Sequence, residues 1–307
     1  YNKKNGGECL MAEYERKTKD SKPVLAICYD FDRTLSPDDM QAQGYIQDVG
    51  YDVDKFWTES NQFAKAHNMD RNLAYMYKMV EAAKNNFVLS REALANYGSK
   101  VKLFNGVEDW FPRVKQYGEE KGITVEHYII SSGLKEMIEG TLMARTGQFE
   151  KIYASSFYFD ESGKVKWPSQ VINYTTKTQF LFRIQKGFLD INDPDVNKYI
   201  KPEDIRIPFR NIVYIGDSDT DIPCMRLVNM NGGHSIGVYN PETKEKEKVY
   251  KMIDTNRIRY FAPADYIKDS ELDILIKEII NKTASYEILE KRFISNHSEA
   301  NSFIKPC

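Results

Sequence analysis

The chain has 307 residues, a formal net charge of -2, and 41% hydrophobic and 29% charged residues, a composition typical of a globular protein with one large or two modest domains. The near-neutral charge argues against nucleic acid as the main partner, because a protein that neutralises phosphates needs a basic surface. No apolar run approaches the roughly 20 residues of a membrane span, so we expect no membrane partner. The four cysteines are far apart and form no CxxC pair, which favours a reducing cytoplasm as the location.

The first third of the chain is predicted to hold a tail, a strand and a group of helices. Residues 1–22 are polar and carry no hydrophobic pattern, which indicates a tail. The run VLAICY at 24–29 has strand length and is apolar on both faces, as expected for a buried strand of a parallel sheet. Residues 38–103 hold several helical stretches and no strand-like run, and are predicted to form a separate helical insertion.

The rest of the chain alternates helical and strand-like patterns. Its predicted elements are, in order, a helix at 111–122 that ends at Gly122, a strand at 125–130, a hairpin at 157–167, a strand at 211–215 and a terminal amphipathic helix at 271–293. Strands that alternate with helices indicate an α/β fold, with a parallel sheet flanked by helices.

Polar residues follow each of the three buried strands, at the point where the strand ends. They are Asp30 and Asp32 after the first strand, Ser131, Ser132 and Gly133 after the second, and Gly216, Asp217, Asp219 and Asp221 after the third. In open α/β sheets, ligands bind outside the carboxyl ends of the strands. If the three strands are neighbours, these side chains therefore meet in one crevice.

Several acids in one crevice repel each other unless a cation lies among them. Oxygen ligands select a hard ion, and few protein ligands beside a phosphate favour Mg²⁺ over Ca²⁺. The acids have no neighbouring histidine or cysteine in the sequence, which disfavours zinc. Lys177, at the start of a helical stretch, is a candidate for additional positive charge, and Lys186 is the alternative.

Four motifs in this order resemble those of the haloacid dehalogenase superfamily, in its phosphatase branch. They are DFDRT at 30–34, IISSG at 129–133, Lys177, and GDSDTD at 216–221. The resemblance implies a Rossmann-like core built from residues 23–37 and 104–307, with the insertion at 38–103 as a helical cap between the first two motifs. The predicted hairpin is similar to that of the phosphoserine-phosphatase-like subgroup.

The resemblance also implies catalytic roles for the first motif. Asp30 would be the nucleophile that forms an aspartyl-phosphate, and Asp32 would protonate the leaving alcohol and then activate water. The Asp30 carboxylate, the Asp32 backbone carbonyl and Asp217 would hold Mg²⁺. Thr34 would support the loop that carries Asp32.

The other motifs would bind the phosphoryl group. Ser131 would hydrogen-bond its oxygens, Ser132 would offer a backbone N–H or its hydroxyl, Lys177 would neutralise charge, and Asp221 would orient Lys177 or a metal-bound water. Two positions depart from the pattern or lack a role in it. Arg33 stands where the family often has a glycine after the second acid, and it is either a surface residue or a contact to an anion of the substrate. Asp219 has no role in the motif and is expected to be a solvated loop acid or a helix N-cap.

The predicted function is hydrolysis of a small phosphorylated metabolite, with Mg²⁺ as cofactor and a phosphate ester as the small-molecule partner. A phosphotransferase or mutase with the same nucleophile is an alternative, as is a catalytically silent binding protein on this scaffold. A signalling receiver module also uses a phosphorylated Asp at a strand end. Asp32 and the insertion at 38–103 count against that module, which is shorter and needs no second acid.

Overall fold

A computed structural model of the protein describes residues 14–84 and 86–304. The predicted tail at 1–22 therefore lies partly outside the described residues. The strands are β1 (Val24–Tyr29), β2 (Thr124–Leu134), β3 (Phe149–Phe159), β4 (Val165–Gln170), β5 (Ile212–Gly216), β6 (His234–Tyr239) and β7 (Tyr260–Pro263). The α-helices are α1 (Tyr45–Asp48), α2 (Val53–Ala66), α3 (Arg71–Ala83), α4 (Arg91–Gly98), α5 (Val107–Glu120), α6 (Lys135–Gly140), α7 (Leu142–Arg145), α8 (Thr178–Lys186), α9 (Ile222–Met230), α10 (Glu247–Asp254) and α11 (Glu271–Ile304).

In the described part of the chain, seven strands form one sheet in the order β4-β3-β2-β1-β5-β6-β7. In this spatial order, every neighbouring pair from β3 through β2, β1, β5 and β6 to β7 is parallel. The edge strand β4 is antiparallel to β3, with which it forms a hairpin. At the end of β1, Tyr29 lies between Ile129 of β2 and Ile215 of β5. The three strands that end in polar residues are therefore neighbours, and the predicted α/β fold is confirmed.

The central strand is buried on both faces because alternate side chains enter two separate hydrophobic clusters. Leu25, Ile27 and Tyr29 belong to one cluster, and Val24, Ala26 and Cys28 to the other. Such a strand has a fixed position, since moving it by one residue would exchange the two faces. Its C-terminal residue can then place a following side chain rigidly. Among the described residues, none of the helices combines the length and the apolar composition that a membrane span requires.

The described part of residues 38–103 folds into helices α1 to α4. Helix α3 begins after Asp70, whose carboxylate accepts a hydrogen bond from Asn72 N at 2.8 Å and so caps the helix. Helix α4 packs closely on α6, since a Cβ on Gly98 would lie only 1.9 Å from the carbonyl oxygen of Met137. The division into a cap at 38–103 and a core stays a prediction.

Two helices are longer than the hydrophobic pattern indicated. Helix α5 begins at Val107 rather than at 111, and Gly122, with a φ of 73°, follows its end in the left-handed conformation that glycine tolerates. The terminal helix runs to Ile304 rather than to 293. Its last turns are exposed and hold few apolar residues, so they give only a weak hydrophobic pattern by which to recognise a helix.

Candidate active site

Asp30 lies immediately beyond β1 and is held by backbone contacts. Its N–H donates to the carbonyl of Ile215 at 2.9 Å, which extends the pairing with β5 by one residue. Its Oδ1 accepts a hydrogen bond from Phe31 N at 2.7 Å, while Oδ2 faces the ammonium group of Lys177 at 3.0 Å. Burial, followed by the nearby carboxylate of Asp221, raises the pKa of Asp30 to about 6, although Lys177 acts in the opposite direction.

Lys177 connects two of the predicted motifs. Its side chain is fully buried, and its Nζ lies 2.7 Å from Oδ1 of Asp221 as well as 3.0 Å from Asp30. Burial disfavours the charged form, but the carboxylates of Asp221 and Asp30 outweigh it and raise the pKa of Lys177. Lys186 lies elsewhere and donates to the carbonyl oxygens of Val196 and Lys198. Of the two candidate lysines, the structure places Lys177 beside the acids.

Three carboxylates meet at the ends of β1 and β5. Oxygens of Asp30, Asp217 and Asp221 lie within 4.8 Å of one another. Burial, followed by repulsion from Asp221, raises the pKa of Asp217 to about 8. Closely spaced carboxylates repel each other unless protons or a cation lie among them, and an all-oxygen set fits a hard metal ion. The metal ligands predicted from the sequence were the carboxylates of Asp30 and Asp217 and the backbone carbonyl of Asp32. This set differs from the cluster in the structure by having the Asp32 carbonyl instead of Asp221, and it stays a prediction.

Asp32 occupies a separate, tightly packed position. Its Oδ1 accepts a hydrogen bond from Met40 N at 2.8 Å. A Cβ on Gly133 would lie 2.8 Å from Asp32 Oδ2 and 2.3 Å from Cε of Met40, so any larger residue would have to displace these two side chains. Burial, the charge of Asp39 and that of Asp30 together raise the pKa of Asp32 well above its ordinary value. A raised pKa favours the protonated form that a general acid requires.

Backbone hydrogen bonds close the turn that follows β1 and carries Asp32. The carbonyl of Phe31 accepts hydrogen bonds from Thr34 N and Leu35 N, and Thr34 O accepts one from the Tyr266 hydroxyl at 2.7 Å. Thr34 is fully buried in this turn. Arg33 has a φ of 59°, which explains why glycine suits this position, and its side chain is exposed and pairs with Asp39 at 3.2 Å.

Strand β2 runs further than the sequence indicated, so Ser131 and Ser132 lie within its C-terminal part, and the two serines differ in their contacts. Ser131 is buried, and its Oγ accepts a hydrogen bond from Gly133 N at 3.0 Å. The hydroxyl of Ser132 is buried without a hydrogen-bond partner among the described residues, whereas its carbonyl accepts one from the Tyr75 hydroxyl at 2.9 Å. Tyr75 belongs to α3, so this bond joins the insertion to the C-terminal part of β2.

Sequence reasoning missed further residues around the acids. The Tyr214 hydroxyl donates to Asp221 Oδ1 at 2.8 Å, and Lys248 Nζ lies 3.8 Å from Asp217 Oδ2. Tyr214 is one apolar position of a buried strand, and Lys248 is in the alternating run TKEKEK, so neither carried a signal. Asp219 is exposed, and Asp221 precedes α9 at the position suggested for Asp219 as an N-cap.

The protein has an α/β fold with a mostly parallel sheet, and its acids lie beyond the carboxyl ends of the neighbouring strands β1 and β5. Proteins with open α/β sheets bind their ligands at this position. The sequence model of haloacid dehalogenase-like hydrolases matches residues 27–226, and the chain belongs to this family. The range includes all four predicted motifs, so the suspected family is confirmed.

Individual proteins that are similar to this chain share 28% or less of its sequence over the matched region. The chain is 28% identical over 283 residues to an uncharacterized protein of Borreliella burgdorferi, in a match that covers 84% of this chain and 96% of the relative. Its fold is similar to that of a HAD family hydrolase from Salmonella enterica serovar Typhi, with a TM-score of 0.54 and 17% identity over 85% of this chain and 73% of that one. It is also similar to a probable phosphoserine phosphatase from Vibrio cholerae, with a TM-score of 0.54 and 11% identity over 86% and 68% of the two chains. At these identities the structural likeness concerns the fold alone.

Proposed function

We propose that the protein is a Mg²⁺-dependent phosphomonoester hydrolase that acts on a small phosphorylated metabolite through an aspartyl-phosphate on Asp30. The observation that carries the proposal is the placement of Asp30 at the end of β1, with the buried ammonium of Lys177 at 3.0 Å. A nucleophilic carboxylate approaching a phosphate must overcome charge repulsion, and a fixed cation beside both groups reduces it. Membership of a hydrolase family supports the same reaction class.

The first step transfers the phosphoryl group to the protein. An oxygen of Asp30 attacks phosphorus and forms the aspartyl-phosphate, while the bond from phosphorus to the alcohol oxygen breaks. Asp32 gives its proton to that oxygen, and the raised pKa of Asp32 supports its protonated state at the start. Ser131 and Ser132 would donate hydrogen bonds to the phosphoryl oxygens, and Lys177 would offset their negative charge.

The second step restores the free protein. Water gives a proton to the Asp32 carboxylate and attacks phosphorus, the bond to Asp30 breaks, and inorganic phosphate leaves. Asp221 would hold Lys177 in place through the contact at 2.7 Å, and Thr34 would support the turn that carries Asp32. The Asp30 carboxylate, the Asp32 backbone carbonyl and Asp217 would hold Mg²⁺, which when bound supplies positive charge to the transferred group.

The test is phosphate release from a panel of small phosphomonoesters by wild-type protein in Mg²⁺ and in EDTA. We expect Mg²⁺-dependent turnover that Asp30→Asn abolishes in a protein that still folds, as a cooperative unfolding transition would show. Asp219→Asn, which removes an exposed acid of the same motif, should keep the activity and serves as the control.

Two further readouts separate this proposal from the alternatives. Asp32→Asn should slow both steps and accumulate protein heavier by one phosphoryl group, seen by mass spectrometry. Reaction in ¹⁸O-labelled water should place the label in the released phosphate, whereas transfer to an added alcohol would indicate a phosphotransferase. Full activity in the Asp30→Asn protein would refute the mechanism, and a folded wild type that releases no phosphate would favour a silent binding protein.

A further inference from the structure

The second half of α11 extends beyond the core of the protein. The first half is anchored by buried side chains of the main hydrophobic cluster, among them Leu272, Ile276 and Ile280. Farther along, Arg210 contacts Glu287 at 3.1 Å and lies over the ring of Tyr286, 4.6 Å from its centroid. Every residue from 291 to 303 is exposed. Because a helical segment without tertiary packing is only marginally stable in water, we expect the helical extension, residues 286–303, to pack against a partner.

One side of the helical extension carries a stripe of apolar side chains. Its residues recur at intervals of three and four, which places them on one face of an α-helix, and they are Tyr286, Leu289, Phe293, the single polar residue Asn296, Ala300 and Phe303. Leu289 is 69% exposed, Phe293 56% and Phe303 91%. Large apolar side chains that are aligned and exposed indicate a surface that contacts another molecule.

Two further exposed isoleucines, Ile288 and Ile294, lie outside this apolar stripe. The residues three and four positions before and after Ile294 are its neighbours on the helix surface, and all of them are polar: Glu290, Lys291, His297 and Ser298. An isolated apolar residue of this kind is normal on a protein surface, whereas an aligned row is not.

The charged residues beside the apolar stripe indicate a second copy of the chain as the partner. Arg292 and Glu299 lie along one edge of the stripe, and Glu290 and His297 along the other. If two extensions lie antiparallel, with Phe293 opposite Asn296 of the second copy, Arg292 comes opposite Glu299 of that copy. The symmetry of the pair repeats this contact, and Glu290 comes opposite His297 in the same way.

The same alignment matches the two ends of the stripe. Tyr286 comes opposite Phe303 of the second copy, and Leu289 comes opposite Ala300, so the apolar residues of each copy meet along the whole extension. A parallel alignment would instead bring Arg292 beside His297 of the second copy, where no acid would pair with it. The charge pattern therefore favours the antiparallel arrangement.

The exposed area of the stripe is sufficient for a specific dimer. Taking about 200 Å² for a large side chain, the exposed fractions of its four large residues, Tyr286, Leu289, Phe293 and Phe303, correspond to about 500 Å² per copy and about 1,000 Å² for two copies. An interface of about 1,000 Å² reaches the size expected of a biological contact, and the charged edges add to it.

A membrane surface suits the helical extension less well. Helices that lie on membranes usually have a polar face rich in lysine and arginine. The extension instead holds three acids, Glu287, Glu290 and Glu299, and two bases, Lys291 and Arg292. Its polar residues therefore offer no net attraction to anionic lipids.

We propose that the protein forms a two-fold symmetric dimer through the apolar stripe of α11. The two helical extensions lie antiparallel, and Arg292 of each copy pairs with Glu299 of the other. The inference concerns assembly, so it holds or fails independently of the proposed phosphatase activity.

The first test is the mass of the full chain by sedimentation velocity from about 1 to 100 µM, the range in which a modest interface dissociates. We expect wild-type protein to reach twice the monomer mass. Leu289→Gln should raise the Kd of the dimer at least about 100-fold, because each copy loses one large apolar contact. Ile294→Gln is the matched control, since Ile294 is 59% exposed but lies outside the stripe, and it should leave Kd within about 3-fold of wild type.

The second test reverses the charges at the edge of the stripe. Arg292→Glu and Glu299→Arg should each raise Kd about 10-fold, because like charges then face each other at two places. The double variant Arg292→Glu/Glu299→Arg makes each pair complementary again in the antiparallel alignment. It should therefore return Kd to within about 3-fold of wild type.

Several results would overturn the inference. They are a wild-type protein that remains monomeric at about 100 µM, or a dimer that Leu289→Gln leaves intact. A monomer that binds vesicles of phosphatidylcholine and phosphatidylglycerol, and loses this binding in Leu289→Gln, would identify the stripe as a membrane contact instead. A double charge variant that dimerises no better than the single ones would reject the antiparallel alignment. The substituted residues are exposed or only partly buried in the monomer, so every variant should stay folded, as circular dichroism would show.

Discussion

Lys177→Met should destabilise the protein strongly, because it removes the ammonium group between two buried carboxylates while keeping a side chain of similar length. Lys177 Nζ contacts Asp30 at 3.0 Å and Asp221 at 2.7 Å, and its side chain is fully buried. Removing one partner of a buried ion pair costs about 3–5 kcal/mol, since the remaining charges lose their compensation. We therefore expect the free energy of unfolding to fall by about that amount.

Urea unfolding at pH 7.5 in EDTA measures this change, since the pKa of Asp30, about 6, leaves that group mainly ionised there. The double variant Lys177→Met/Asp221→Asn should regain about 1–2 kcal/mol relative to the single one, because it removes one of the uncompensated charges. Lys186→Met is the control, since that lysine donates to two backbone carbonyls and its replacement should cost about 1 kcal/mol. A Lys177→Met protein within about 1 kcal/mol of wild type would refute the reasoning.

Two further predictions concern the carboxylates and the packing around them. The pKa values of Asp30, about 6, and Asp217, about 8, lie above the ordinary 3.8, so their stabilising effect is complete below about pH 4 and is lost as the pH rises through 6 and 8. In EDTA the urea midpoint of the wild-type protein should therefore fall between pH 5 and pH 8, and it should fall less steeply in Asp217→Asn. Mg²⁺ should restore the wild-type midpoint most at pH 8. An identical dependence of the midpoint on pH in wild type and Asp217→Asn would contradict this prediction. Gly133→Ala should reduce kcat at least about 100-fold, because the new Cβ would displace Asp32, whereas Gly122→Ala, in open space at a φ of 73°, should cost about 1 kcal/mol of stability and keep the activity. Normal turnover in Gly133→Ala would show that Asp32 need not occupy this position.

The sequence alone was sufficient for the three central strands and for the residues at their ends, whereas it did not predict β6 and β7 at the edge of the sheet. Runs such as VLAICY are apolar at every position, and only a strand covered on both faces buries all of them, so the parallel sheet followed from composition and length. Because the acids follow these strands directly, their meeting required only that the strands be neighbours, as β2, β1 and β5 are.

Contacts between distant parts of the chain required the tertiary structure. The sequence offered Lys177 as the candidate and Lys186 as the alternative, and only the fold brings Lys177 between Asp30 and Asp221, which lie 147 residues before and 44 residues after it. The reason for the usual glycine at position 33 was also hidden, because a positive φ depends on the closed turn around Phe31.

Burial of polar groups was the property that the sequence concealed most. Glu136 stands in a short helix beside Lys135 and Glu139, where a carboxylate would ordinarily be solvated, and yet it is buried, and one of its oxygens has no hydrogen-bond partner within residues 14–84 and 86–304. Local pattern determined which residues form strands, because backbone and side-chain preferences act over a few neighbours. Tertiary packing decided which charged groups lose water and which partners they meet, because these depend on segments that are far apart in the chain.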